Sequence, residues 1–261
     1  MGGDDLGSDD EYLAAPLGGV GNYVDDSSDE EQQQQQQQQQ SQKRQRAETS
    51  KTSEPTSAKA KKKSKKRGGP MEVLGTKIRL ESIESKAEIL SEFAGVDFAS
   101  SNIAKPRDED KMDSDNFMDR LLCLVSKKQL KTKLQQKSPR AIIFCQSARR
   151  SVAILKELGP VKLRVAKLFP KQGTIGEQSR NIELTEYGLA VGTPHRIKEL
   201  IDRGSLSLKN TQLIGLDTFL NPKNQSVYTL HDTAPFLKSI LKEHAHPVCN
   251  KGKKELKIGF V

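Results

Sequence analysis

Residues 140–261 predict a three-layer α/β fold built on a parallel sheet. Three observations carry that expectation. "AIIFC" (141–145), "GLAVG" (188–192) and "QLIGLD" (212–217) are short, nearly unbroken apolar runs, as expected of strands covered on both faces. Between them lie segments of helical periodicity with start and stop signals, such as "TPHRIKELIDRG" (193–204). Strands alternating with helices imply crossover connections and hence parallel pairing.

Taken in order, "SKAEILSEFAG" predicts a short helix. Ser85 and Glu88 form a capping box, and Gly95 supplies the left-handed end. The polar stretch 99–114, with Pro106 and many charges, reads as a loop. "DNFMDRLLCLVSKKQLKTKL" (115–134) reads as one amphipathic helix, with Phe117, Leu121, Leu124, Val125 and Leu130 at helical spacing. After the 141–145 strand, "SARRSVAILKELG" is a helix capped by Ser147 and ended by Gly159. "VKLRVAKLF" (161–169) alternates like a strand, and "EQSRNIEL" is helical in pattern. In the 193–204 helix, Thr193 is the N-cap and Pro194 the first helical residue, where its missing N–H costs nothing. "APFLKSILKEHA" predicts a further helix and "LKIGFV" a closing strand.

The remainder is organised differently. Residues 1–31 hold ten acidic residues and no basic one, and nine glutamines follow at Gln32–Gln40. Eleven Lys/Arg then stand against Glu48 and Glu54 over 43–67. Such segments have too little apolar surface to offset the entropy of ordering, so 1–70 reads as a disordered tail. Residues 71–139 read as a helical extension and 140–261 as the α/β lobe. The chain carries a net charge of +9, of which +10 falls on residues 68–261 once the tails are set aside. A basic fold favours a polyanionic partner such as nucleic acid. "KRQR" (43–46) and Lys61, Lys62, Lys63, Lys65, Lys66 and Arg67 suggest nuclear import, the alternative being a solvated tail. No apolar run reaches the ~20 residues of a membrane span. The N-terminus is acidic, unlike a signal peptide, and Cys123, Cys145 and Cys249 form no disulfide framework. An intracellular chain is expected.

Chemistry concentrates at one turn. Thr193, His195, Arg196 and Lys198 open a helix directly after a buried strand. Free N–H groups, the dipole and basic side chains there suit a phosphate, although a capped surface helix has the same spacing. His244, His246 and Cys249 are three ligand types without an evident fourth, and read as a solvated turn. Asp217 reads as a strand-end residue bonded to nearby backbone.

"GTPHRIKELIDRGSLSLKNTQLIGLD" resembles the first RecA-like lobe of DEAD-box RNA helicases. The family's Gly-Thr-Pro-Gly-Arg turn contacts the RNA backbone. Here Gly192, Thr193, Pro194 and Arg196 are kept, with His195 in place of the glycine. "AIIFCQSARRSVAIL" resembles the strand and helix of a second RNA-contact motif whose own residues are lost. Gly173, in "FPKQGTIGEQ", stands where a Gly-Gly turn would be. The resemblance places the family's Asp-Glu-Ala-Asp strand end at Asp217, but Thr218, Phe219 and Leu220 replace the rest.

Hydrolysis on such a lobe needs a Gly-rich phosphate loop with Lys and Ser/Thr. No G-x-x-x-x-G-K-[ST] occurs, Gly252-Lys253 being a poor imitation, and no second lobe is evident. No catalysis, no cofactor and no metal are expected. A single lobe behind an acidic and basic tail is similar to the Cms-type small-subunit pre-ribosome proteins. That resemblance covers about 71–261 and implies a monomer within a large nucleolar ribonucleoprotein, meeting pre-ribosomal RNA or assembly proteins in rRNA processing. Two alternatives are a regulator docking on a true helicase lobe and a divergent RNA-dependent ATPase. The 115–134 segment is expected to fill the place of the lost phosphate-loop region.

Overall fold

A computed structural model describes residues 71, 74–250 and 256–261. The 1–70 tail, its import residues and Gly252-Lys253 lie outside the described residues. After a 3₁₀ helix (Gly75–Leu80) come α1 (Ile83–Ala94), α2 (Phe117–Leu124) and α3 (Lys127–Lys131). The alternating part follows as β1 (Ala141–Phe144), α4 (Ala148–Leu158), β2 (Val165–Leu168), α5 (Ile175–Leu184), β3 (Leu189–Gly192), α6 (Pro194–Asp202) and β4 (Leu213–Leu216). Then come α7 (Ala234–Ser239), a π-helical turn (Ile240–Ala245), α8 (His246–Asn250) and β5 (Lys257–Phe260).

The five strands pair in the order β2-β3-β1-β4-β5, every pair parallel, as the apolar runs require. Each face of the sheet has its own core. Ile142, Phe144, Ile214 and Leu216 meet α1, α6 and α7 on one side. Ala141, Ile143, Leu189 and Val191 meet Phe117, Leu121 and Leu130 of α2 and α3, with Ile154 and Leu158 of α4, on the other. The 115–134 segment therefore packs on the sheet and does not project from it. Contact is close at Gly188, where any Cβ would collide with the Leu130 carbonyl oxygen.

Several sequence expectations need correction. The 115–134 helix is broken. Val125 leaves helical geometry (φ −140°), and Ser126 caps a new helix. The Gln129 N–H donates to Ser126 Oγ at 3.2 Å, and Ser126 N–H donates to Gln129 Oε1 at 2.8 Å. This capping box was hidden under a continuous apolar periodicity. The first helix starts a turn early because Ser82, not Ser85, is its cap, accepting from the Ser85 N–H at 3.1 Å. That start lets Ile83 reach the core. Gly95 closes the helix at φ +69°.

The 99–114 loop is partly structured. Ile103 and Ala104 are buried, and the Ala104 N–H donates to Ile258 O at 2.8 Å, covering the open edge of β5. The strand within 161–169 begins only at Val165, after a 3₁₀ turn (Gly159–Val161) and Lys162 at φ +51°. The 234–245 helix passes into a π turn at Ile240 and on through His246–Asn250.

Candidate nucleic-acid interface

In open parallel sheets ligands bind outside the carboxyl ends of the strands, and the sequence-predicted residues gather there. The turn after β2 carries Gly173, held at φ +131° with Glu177 Oε2 only 2.8 Å from where a Cβ would sit. Beside it, α6 begins after β3. Arg196 spans the two, its Nη1 donating to Gly173 O at 3.1 Å and to Gln178 Oε1 at 3.0 Å. Gln178 Nε2 in turn donates to Phe169 O at 3.0 Å. Arg196 Nε lies 3.2 Å from Glu199 Oε2, close enough for an ion pair but without hydrogen-bond alignment. The guanidinium thus ties the β2 turn to α6.

The other predicted residues are less free than a phosphate site needs. Lys198 Nζ is 2.8 Å from Asp202 Oδ2 and 3.9 Å from Glu243 Oε2. His195, half-exposed, stands edge-on to Phe236 with ring centroids 4.7 Å apart. Thr193 is an N-cap by position only. Its side chain makes no capping bond, and its N–H donates to Leu168 O at 3.1 Å instead. The structure brings Gly173 and Arg196 into contact and places Thr193, His195 and Lys198 on the same helix start, with carboxylates facing its cations.

At the centre of the carboxyl edge, where the chain's crossovers diverge between β1 and β4, the expectation for Asp217 fails. Its bonds are not chiefly to backbone. Arg150, in the first turn of α4, grips it in a fork, Nε to Oδ2 at 2.8 Å and Nη2 to Oδ1 at 3.1 Å. The Asp217 side chain is 1% exposed. Burial pushes its carboxyl pKa up, and the hydrogen bonds and charge of Arg150 oppose that push. Thr218, next in line, is turned inward, its Oγ1 donating to Val261 O at 2.9 Å.

Sequence reasoning missed two groups here. Phe219 is 45% exposed, and the Arg150 guanidinium lies 4.4 Å from its ring centroid. Gln146, buried against it, donates to Phe219 O at 3.3 Å, and its Oε1 has no partner among the described residues. Neither has a local signal, because the contacts join residues about seventy positions apart. His246 Nε2 lies 3.0 Å from Asp97 O, and the Cys249 thiol donates to Leu256 O. Burial pushes that thiol up to about 11. Among the described residues no group of three or more His, Cys, Asp or Glu is placed to hold a metal ion, and no helix is long and apolar enough to cross a membrane.

Protein CMS1 of Chaetomium thermophilum is 28% identical over 148 residues, covering 53% of this chain and 59% of that protein. Protein CMSS1 of Xenopus laevis is 30% identical over 123 residues, covering 46% of this chain and 44% of that protein. The chain thus spans about half the length of the curated relatives it matches. Among solved structures, a DEAD box protein from the hyperthermophile Methanococcus jannaschii is similar at 24% identity and a TM-score of 0.38, over 55% of this chain and 34% of that one. The family model described as "CMS1: U3-containing 90S pre-ribosomal complex subunit" matches residues 26–255, and the chain belongs to that family.

Proposed function

We propose that the chain is a non-catalytic subunit of the early small-subunit pre-ribosome, acting in the nucleolus by contacting pre-ribosomal RNA and assembly proteins. Membership of a family of 90S pre-ribosomal subunits supports the location and partner class. The observation that carries the non-catalytic reading is the Arg150–Asp217 fork. By the helicase resemblance, Asp217 is the carboxylate that would face Mg²⁺. Here an internal cation already occupies both of its oxygens, and Thr218, with no acid to position water, is bonded to the chain end. What the lobe offers is a rigid, basic α/β body with the Gly173–Arg196 turn at its carboxyl edge.

Fluorescence anisotropy of the full chain with single-stranded RNA tests the RNA half of this reading. Binding should weaken steeply with salt through counterion release. Arg196→Ala should lower affinity modestly and uniformly across sequences, with a salt slope shallower by about 0.7. RNA affinity unchanged both by Arg196→Ala and by deletion of 43–67 would make the lobe a protein-docking surface.

A further inference from the structure

At the opposite edge of the sheet, outside the amino ends of β1, β4 and β5, lies a cavity of about 610 Å³. Five cationic residues line it: Lys105, Arg107, Lys133, Arg140 and Lys257. Among the described residues no acidic residue does. Two of the five are already engaged, Arg107 Nη2 donating to Gln129 Oε1 at 2.7 Å and Lys257 Nζ to Ser101 O at 2.6 Å.

Arg140 is its centre. The residue is only 7% exposed, and burial pushes its pKa down with no charged neighbour opposing the push. Its partners are all neutral. Nη1 donates to Asn210 Oδ1 at 2.9 Å and Asn210 O at 3.2 Å, and Nε donates to Gln129 O at 3.4 Å. Nη2 has no hydrogen-bond partner among the described residues. Asn210 is itself fixed, its N–H bonded to Ser138 Oγ at 2.7 Å and its Nδ2 to Lys133 O at 3.0 Å. A buried charge without a counter-charge is costly, and such charges are ordinarily paired or bound to a ligand. A framework that aims one at a basic cavity is what an anion site requires.

The remaining lining residues narrow the ligand. Gln129, Gln135 and Gln212 also line it; Gln129 Oε1 already accepts from Arg107 Nη2 and the Ser126 N–H, whereas the buried Gln212 Oε1 has no hydrogen-bond partner among the described residues. A phosphodiester group or an ionised carboxylate offers no donor to that oxygen. A ribose 2′-hydroxyl or a base N–H does, and the 2′-hydroxyl is what distinguishes RNA from DNA. The volume lies within the range of small-ligand pockets.

We infer that this cavity is a second RNA site, taking one phosphate of a single strand on Arg140, Lys105 and Lys133 with the adjoining ribose 2′-hydroxyl toward Gln212. The inference rests on the reading that the chain contacts RNA, and adds a site on the edge remote from Gly173 and Arg196.

The test is ultraviolet crosslinking of 4-thiouridine RNA to the full chain, with peptide mapping and anisotropy on the same samples. Crosslinks should fall within 104–107, 133–140 or 210–213. Lys105→Glu with Lys133→Glu alters only exposed side chains and should leave the melting curve unchanged. It should remove those crosslinks, lower RNA affinity roughly tenfold and make the salt slope shallower by about 1.4. Gln212→Leu should remove the preference for RNA over DNA of the same sequence. Crosslinks confined to 43–67 or 171–198, with affinity unchanged in the double variant, would overturn the cavity while leaving RNA binding intact. A poly-glutamate peptide held in a Lys105- and Lys133-dependent way while RNA is not would reassign it to an acidic protein. No RNA binding by the unaltered chain would defeat both readings.

Discussion

Arg150→Ala is expected to destabilise the fold by about 3–5 kcal/mol, because it leaves Asp217 as a buried carboxylate without its partner. Three measurements separate that cause from lost packing. Asp217→Asn should cost less, since the Asn oxygen still accepts from Arg150 and the guanidinium, 11% exposed, keeps Glu157 at 3.9 Å. Replacing both, as Arg150→Met with Asp217→Leu, should recover much of the loss, because a buried pair is often exchanged for apolar residues at little cost. The third is pH. Without Arg150 the Asp217 carboxyl rises further above its unfolded value, so the folded state holds its proton more tightly. The penalty is then full above the folded pKa and shrinks as pH falls toward the unfolded one. Urea unfolding of the three variants from neutral to mildly acid pH reads all of this. A pH-independent loss equal in Arg150→Ala and Asp217→Asn would mean that the pair carries no special weight.

Phe117→Ala is the second large effect, also about 3–5 kcal/mol from lost burial and the cavity left behind. Phe117 is fully buried against the sheet, its N–H donates to Glu157 Oε2 at 2.9 Å, and its ring lies 5.9 Å from the Arg150 guanidinium. The loss tests whether 115–134 is part of the lobe's core. Arg150 and Phe117 share Glu157 as a neighbour, Arg150 Nη1 lying 3.9 Å from its Oε1. The double variant should therefore depart from additivity. A loss under about 1 kcal/mol, in the range of surface changes, would detach α2 from the sheet.

The two effects mark where the sequence was legible. β1, β3 and β4 were readable because strands buried on both faces must be apolar throughout, and their runs are short enough to exclude helices. Ser147 was readable because a cap acts within three residues, and Gly95 because an αL position is local. The break at Val125 was not, since Leu121, Val125 and Leu130 keep helical spacing across it, and only the Ser126–Gln129 pairing announces the second start. The start of β2 was obscured because 161–164 alternates as well as the strand itself does. The site was harder for a different reason. Gly173 and Arg196 were linked by resemblance, but the carboxylates facing Lys198 come partly from Glu243, on another element. The Arg150–Asp217 fork and the cations of the amino-edge cavity join residues from distant segments. No window along the chain contains them.

We propose that the Arg150–Asp217 fork leaves this α/β lobe without a carboxylate for nucleotide chemistry. The most direct measurement is a calorimetric titration of the full chain with Mg²⁺-ATP, with and without single-stranded RNA, followed by phosphate release on the same samples. The account predicts no saturable heat and no release above the buffer rate under either condition. Mg²⁺-dependent binding that saturates, and that Asp217→Asn abolishes without unfolding the protein, would contradict it.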